Sequence, residues 1–149
     1  MHEGNVEEFD VAATVSKQTI SAEGAQQVLD AAVAKANEIG VPMSITVLDE
    51  AANPVAFLRM DGAVLPSGNI SNDKAWTATG FGLPTDQWYD YIKDDPALLN
   101  GILAIPRFFM IGGGYPLIVD GNKIGGIGVS GGDYKQDMEV AEAGVQAIA

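Results

Sequence analysis

The sequence has no cysteine, and its single histidine, His2, stands next to the first residue. A chain without cysteine forms no disulfide, no iron–sulfur cluster and no cysteine-ligated zinc site, and it offers no thiol nucleophile. A lone histidine at a terminus nearly excludes Ser-His-Asp catalysis and any multi-histidine metal site. We therefore expect no metal site, and we look for proton-transfer groups among lysine, carboxylate and tyrosine side chains.

Positively charged residues are also few: 8 lysines and arginines stand against 20 aspartates and glutamates, which gives a formal net charge of −12. Phosphate backbones and anionic bilayers attract cationic surfaces, so we expect neither a nucleic-acid partner nor a membrane partner. No apolar run reaches the roughly 18 residues of a membrane span, and no signal peptide is evident at the start. The sequence thus favours a cytoplasmic protein.

What the sequence does contain is enough apolar residues, 47% of 149, for one domain with a hydrophobic core. Residues 1–18 are polar and acidic and are interpreted as an N-terminal tail, which leaves residues 19–149 as the single domain. Large aromatic residues are many for one core to hide, so we also expect a homo-oligomer, a dimer or higher.

The pattern of apolar residues predicts an α+β fold with an antiparallel sheet. Apolar residues recur at helical spacing between Ser21 and Gly40. The same spacing is found near residues 71–80, 87–93 and 133–148. The Asp120-Gly121 pair between two apolar runs is a strong hairpin signal. Five segments have the composition of strands, namely residues 43–49, 54–60, 106–111, 115–119 and 123–130.

Two glycine-rich segments are candidates for ligand binding. Residues 125–133 precede the last helix, where backbone N–H groups could hold an anion, and residues 112–116 would let a ligand approach the backbone. Close packing of a helix on the sheet explains the same glycines equally well. No strand follows the last helix, so a dinucleotide fold is rejected. The candidate ligand-binding residues here are Gly113, Gly114, Tyr115, Ser130, Gly131 and Gly132.

Lys74 is the most informative charged residue, because it stands among small and apolar residues in a predicted helix. Such a lysine either pairs with a carboxylate such as Asp73 or faces a pocket, where it would anchor a ligand carboxylate with help from Arg59. For proton transfer the candidates are Lys74, Asp49, Asp61 and Tyr134, with Asp137 and Tyr115 also possible. Their spacing singles out no acid–base pair.

Several segments, in this order along the chain, resemble the GlcG/HbpS/PduO C-terminal-domain family, the haem-degrading-domain-like DUF336 type. They are VLDEAANPVAFLRMDGA at 47–63, KAWTA at 74–78, GGGYP at 112–116, GNKIGGIGVSGG at 121–132 and QDMEVAEAG at 136–144. The resemblance implies a profilin-like three-layer α/β/α arrangement, with a five-stranded antiparallel sheet and helices on both faces. It also implies an oligomer, haem or tetrapyrrole binding in some members, and association with the catabolism of small organic acids in others.

The function hypothesis is a small-molecule pocket protein that binds or transforms a small organic or aromatic acid in a catabolic pathway. One alternative is a haem- or tetrapyrrole-binding accessory protein, with Tyr115, Tyr134 or Met60 as iron ligands. Because the predicted domain has no histidine, we expect no cofactor. A second alternative is a cofactor-independent lyase or isomerase of a small carboxylated substrate, and a third is an oligomeric interaction domain.

Overall fold

A computed structural model describes residues 12–149, in which four strands and five α-helices form an α+β fold. The helices are α1 (Ala22–Ile39), α2 (Ser67–Phe81), α3 (Trp88–Ile92), α4 (Pro96–Gly101) and α5 (Tyr134–Gln146). The strands are β1 (Ser44–Asp49), β2 (Pro54–Arg59), β3 (Gly114–Val119) and β4 (Asn122–Ser130). No helix within the described range is long and apolar enough to cross a membrane.

One antiparallel sheet with the strand order β2-β1-β4-β3 organises the domain, and both of its hairpins follow from turn chemistry. Asp120 and Gly121 both have positive φ, 50° and 77°, as the tight turn between β3 and β4 requires. At the other hairpin Asp49 accepts hydrogen bonds from the backbone N–H groups of Ala51 and Asn53, at 3.0 and 2.9 Å. The hairpin predicted at Asp120-Gly121 is confirmed.

Helices cover both faces of the sheet, and glycines set how closely they approach. On one face α1 and α5 pack against the strands, and a Cβ on Gly144 of α5 would lie 2.6 Å from Ile127 of β4 and 3.1 Å from Val28 of α1. On the other face lies α2. A Cβ on Gly128 would overlap the carbonyl oxygen of Ser71. The close-packing interpretation of the glycines in β4 is therefore confirmed.

The fifth strand predicted at residues 106–111 is wrong, because the described sheet has four strands and this segment is irregular. The hydroxyl of Thr77, on α2, donates to the carbonyl of Arg107 at 3.1 Å and accepts from the N–H of Phe109 at 3.0 Å. Arg107 itself has φ +69°, which a strand does not allow. The backbone here is satisfied by a helix side chain rather than by a neighbouring strand.

The first helix begins and ends where the sequence predicts. Ser21 caps α1 by accepting from Gly24 N at 2.9 Å, and Gly40 ends it with φ +81°. Before α1, residues 12–20 have no regular secondary structure. Most of the tail predicted for residues 1–18, with His2, lies outside the described residues.

Candidate functional site

The centre of the domain holds a buried ion pair that joins three elements. Lys74, on α2, is 2% exposed, and its Nζ donates to Asp137 Oδ2 at 2.8 Å and to the carbonyl oxygen of Val129 at 3.0 Å. The second carboxylate oxygen of Asp137 accepts from Gly132 N at 2.9 Å. The pair therefore ties α2 to the end of β4 and to the first turn of α5.

Local sequence places Asp137 at this point. Asp133 caps α5, and Gln136 completes a capping box by accepting from the N–H of Asp133 at 3.1 Å. The capped first turn brings Asp137 one turn into the helix, where the positive end of the helix dipole favours a carboxylate. The glycines before the cap leave the N–H of Gly132 free to meet it.

Burial dominates the titration of both partners. It lowers the pKa of Lys74, although the hydrogen bond and charge of Asp137 act in the opposite direction. It also raises the pKa of Asp137, against the hydrogen bond and charge of Lys74 and the N–H of Gly132. Each charge is therefore compensated only by the other. Lys74 does not pair with Asp73, whose carboxylate lies 3.3 Å from Arg107 Nε.

A wall of two glycines, Gly113 and Gly114, closes over this pair. Gly113 has φ +126°, and a Cβ there would lie 2.9 Å from Lys74 Nζ and 2.7 Å from the carbonyl oxygen of Val129. At Gly114 a Cβ would lie 2.5 Å from the carbonyl oxygen of Lys74. Only glycine fits at these positions, so the backbone itself separates the ion pair from the space outside.

Outside the wall lies a cleft of about 350 Å³, lined by Asp86, Tyr89, Met110, Ile111, Gly112 and Tyr134. Met110 and Ile111 give it apolar walls, and Gly112, which is buried, belongs to the same lining. Its polar side-chain groups are one carboxyl and two phenols, and no lysine or arginine belongs to this described lining. An apolar cleft with a few polar groups is typical of a small-molecule site.

Asp86 is the unusual group of the cleft. Its Oδ1 is buried and has no hydrogen-bond partner among residues 12–149. Burial raises the pKa of this carboxyl, and the charge of Glu142 adds to the effect, although a backbone hydrogen bond acts against it. Glu142 in turn accepts a hydrogen bond from the hydroxyl of Tyr115 at 3.1 Å. The pKa of Tyr115 is raised well above its ordinary value, first by burial and then by Asp86 and Glu142, so this phenol stays neutral.

The structure brings together some of the residues predicted from the sequence and separates others. Lys74, Gly113, Gly114 and Gly132 surround the ion pair, and Tyr134 lies at the cleft beside it. Tyr115 adjoins the cleft through Glu142 rather than lining it.

The other predicted residues lie apart from the cleft. Arg59 and Asp61 line a separate depression with Asn37. Asp49 holds its hairpin turn. Ser130 is the buried end of β4, and Gly131, with φ +142°, packs against Met43.

Sequence reasoning missed Asp86 as a site residue. Thr85 and Asp86 stand just before α3, but neither side chain caps a helix. The hydroxyl of Thr85 instead accepts from Gly114 N at 2.8 Å. The one local signal for Asp86 is a carboxylate near the start of a helix that does not cap the helix. The burial of this carboxylate depends on segments distant in the chain.

Comparisons with known proteins agree on one family. A family model described as "Haem degrading protein HbpS-like" matches residues 20–146. The chain is 34% identical over 123 residues to the corrinoid adenosyltransferase PduO of Salmonella typhimurium. This match covers 82% of the chain but 37% of PduO, so the chain spans little more than a third of that relative.

Two solved structures share the whole fold. The protein ORFY of Klebsiella pneumoniae superposes with a TM-score of 0.87 and 32% identity, covering 93% of this chain and 96% of ORFY. A structure described as a PduOC:heme complex superposes with a TM-score of 0.81 and 33% identity, covering 87% and 95% of the two chains.

Proposed function

Since this chain belongs to the HbpS-like family, we propose that it binds a small organic molecule in the cleft beside Asp86. One observation carries the proposal: the residue Asp86 belongs to the lining of an open cleft, and its buried Oδ1 has no hydrogen-bond partner among the described residues. Buried polar atoms in folded proteins are nearly always hydrogen-bonded, so an orphan at a cleft calls for a partner from outside the chain.

The ligand class that we propose is a small organic or aromatic acid of a catabolic pathway. The apolar side chains of Met110 and Ile111 suit a flat hydrocarbon body. A carboxyl group on the ligand would supply the partner that Asp86 lacks. The acid would not be held by Lys74, as the sequence suggested, because that lysine neutralises Asp137 behind the glycine wall.

Haem binding is the second candidate, because the related PduOC structure is described as a haem complex. Tyr134 and Met110 are possible iron ligands that line the cleft. The rest of the lining fits haem poorly, since Asp86 could share a proton with one propionate at most, and no lysine or arginine in the described lining would meet the other. Of the other suggested ligands, Met60 Sδ lies 3.4 Å from Met43 N and Tyr115 donates to Glu142. Titration with haemin tests this alternative: we expect no stoichiometric Soret shift.

A cofactor-independent lyase or isomerase would need proton-transfer groups that touch the substrate. In the cleft these are Asp86, Tyr89 and Tyr134, whereas Lys74 and Asp137 are screened by Gly113. One carboxyl group without an opposed base supports binding better than turnover. We therefore propose binding, and appearance of product from a carboxylate probe would favour the enzyme instead.

The chain is also proposed to form a homo-oligomer. Several large apolar side chains in the described range are exposed, among them Leu65 at 82% exposure, Tyr91 and Leu103. Contiguous apolar patches usually mark interfaces, and we propose that these exposed side chains contribute to one.

Saturation-transfer NMR with benzoate as the probe tests the proposed site. Ile111→Trp fills the cleft, and Ile118→Trp is its matched control, because the two isoleucines are 50% and 52% exposed and Ile118 lies on β3 away from the cleft lining. We expect the benzoate signal to be lost in Ile111→Trp and kept in Ile118→Trp. An unchanged signal in Ile111→Trp would show that the cleft is not the site.

A further inference from the structure

The cleft is electrostatically unfavourable for an anionic ligand. How this repulsion is relieved determines how the ligand is recognised. The chain carries a net charge of −12, and no lysine or arginine is among the described residues that line the cleft. A carboxylate that entered beside an ionised Asp86 would place two like charges in contact, next to an Oδ1 that is shielded from water. Two carboxyl groups that share a site avoid this repulsion when one of them keeps a proton.

We propose that Asp86 recognises the carboxyl group of the ligand by sharing one proton with it, so that an organic acid binds together with a proton. This inference rests on the proposed function, because it takes an acid in the cleft as given. Binding takes up one proton from solvent, and this proton lies between the Asp86 carboxyl and the ligand carboxyl. The two carboxyl groups together then carry a single negative charge. No bond other than that hydrogen bond forms or breaks.

The surroundings of Asp86 support this arrangement on every side. From α5 come Glu142 and Tyr134, from β3 comes Tyr115 and from α3 comes Tyr89. Apart from the phenols, the charged group facing Asp86 is therefore a second carboxylate. On the α2 side, the charge of Lys74 is already matched by Asp137 at 2.8 Å. The charge of Glu142 makes a fully ionised carboxyl pair costly, and none of these neighbours offers a cation to relieve it.

Burial of Asp86 favours the same state before any ligand arrives. Its Oδ1 is shielded from water and has no donor among residues 12–149, so the ionised form is unsolvated at this atom, although a backbone hydrogen bond favours it at the carboxyl group. Protonated Asp86 has an O–H group that can donate a hydrogen bond. A carboxylate is the strongest hydrogen-bond acceptor that a small organic ligand offers. Asp86 would therefore select an acid over an amide of the same shape.

Calorimetric titration of the full chain with three probes of one shape tests the inference: benzoate, the neutral benzamide and the cationic benzylamine. The titrations run from about pH 5 to about pH 8, in buffers of different ionisation enthalpy, so that bound protons are counted. We expect uptake approaching one proton with benzoate, and an affinity that falls about tenfold per pH unit above the pKa of Asp86. Benzamide should bind without proton uptake.

Two variants complete the test. Asp86→Asn keeps a hydrogen-bond donor in place and removes the titration, so benzoate should bind with neither proton uptake nor pH dependence. Asp90→Asn, which alters an exposed carboxylate on α3 outside the cleft lining, should behave like wild type.

The possible failures are distinguishable. Benzoate that binds without proton uptake in the wild type overturns the inference and leaves the proposed function standing. Benzylamine that binds more tightly than benzoate, with affinity rising with pH, overturns the inference and the proposed ligand class. Absence of binding by all three probes overturns both the inference and the proposed function.

Discussion

The Nζ of Lys74 lies 2.8 Å from Oδ2 of Asp137, and the two side chains are 2% and 3% exposed. The residues are 63 positions apart, so the contact holds α2 against α5 across the end of β4. A pair this deeply buried cannot lose one member cheaply, because the remaining charge has no water to solvate it. The ion pair is therefore part of the framework that supports the cleft.

Lys74→Met should destabilise the fold by about 3–5 kcal/mol, since it leaves Asp137 buried without its partner. Urea unfolding measures the loss. The matched control is Lys35→Met, which breaks the partly exposed pair with Glu38 and should cost no more than about 1 kcal/mol. The double variant Lys74→Met with Asp137→Leu should recover much of the lost stability. A single Lys74→Met variant as stable as wild type would contradict the structural role.

Gly113→Ala should destabilise the protein by more than about 1 kcal/mol, for two reasons. The residue has φ +126°, and the new methyl group would lie 2.9 Å from Lys74 Nζ and 2.7 Å from the carbonyl oxygen of Val129. Gly80→Ala is the control, because its Cβ would meet nothing within 4 Å and alanine favours the helix. Thermal melting compares them, and equal stabilities would contradict a closed glycine wall.

Stability should depend on pH through Asp86. Burial, then the charge of Glu142, raises the pKa of this carboxyl above its ordinary 3.8. A proton is therefore held more tightly in the folded state, and its contribution to stability is lost as the pH rises through the raised value. Asp86→Asn, which imitates the protonated form, should match wild type below about pH 3.8 and exceed it at neutral pH. A difference that is constant with pH would refute the raised pKa.

Oligomer formation is the fourth expectation, and it rests on exposed apolar side chains such as Leu65 and Leu103. Light scattering at micromolar concentration should give at least twice the chain mass of 15.6 kDa. A stable species of 15.6 kDa would show instead that these side chains stay in contact with water.

The fold could be predicted from the sequence wherever local chemistry decides the structure. Ser21 and Gly40 delimit α1 because capping acts within a few residues, and Asp120-Gly121 fixes a hairpin because the turn requires positive φ. The strand expected at residues 106–111 failed because the hydroxyl of Thr77, about 30 positions earlier, satisfies its backbone groups. No local sequence pattern predicts that contact.

The candidate site could be predicted only in part, for the same physical reason. Lys74 stands out in the sequence because a charge among small apolar residues needs a partner. Choosing Asp137 rather than Asp73 requires the capped turn of α5 to lie beside α2. Asp86 is ordinary in sequence, and its importance comes from burial without a partner, which only the assembled chain shows.

The central claim is that the cleft beside Asp86 is the ligand site, and NMR titration of the isotope-labelled chain with benzoate tests it most directly. We expect the backbone amide signals of Ile111, Gly112 and Tyr134 to shift in a saturable manner, with those of Arg59 and Asp61 unchanged. Shifts confined to the depression that Arg59 and Asp61 line, or no saturable shift at all, would contradict the claim.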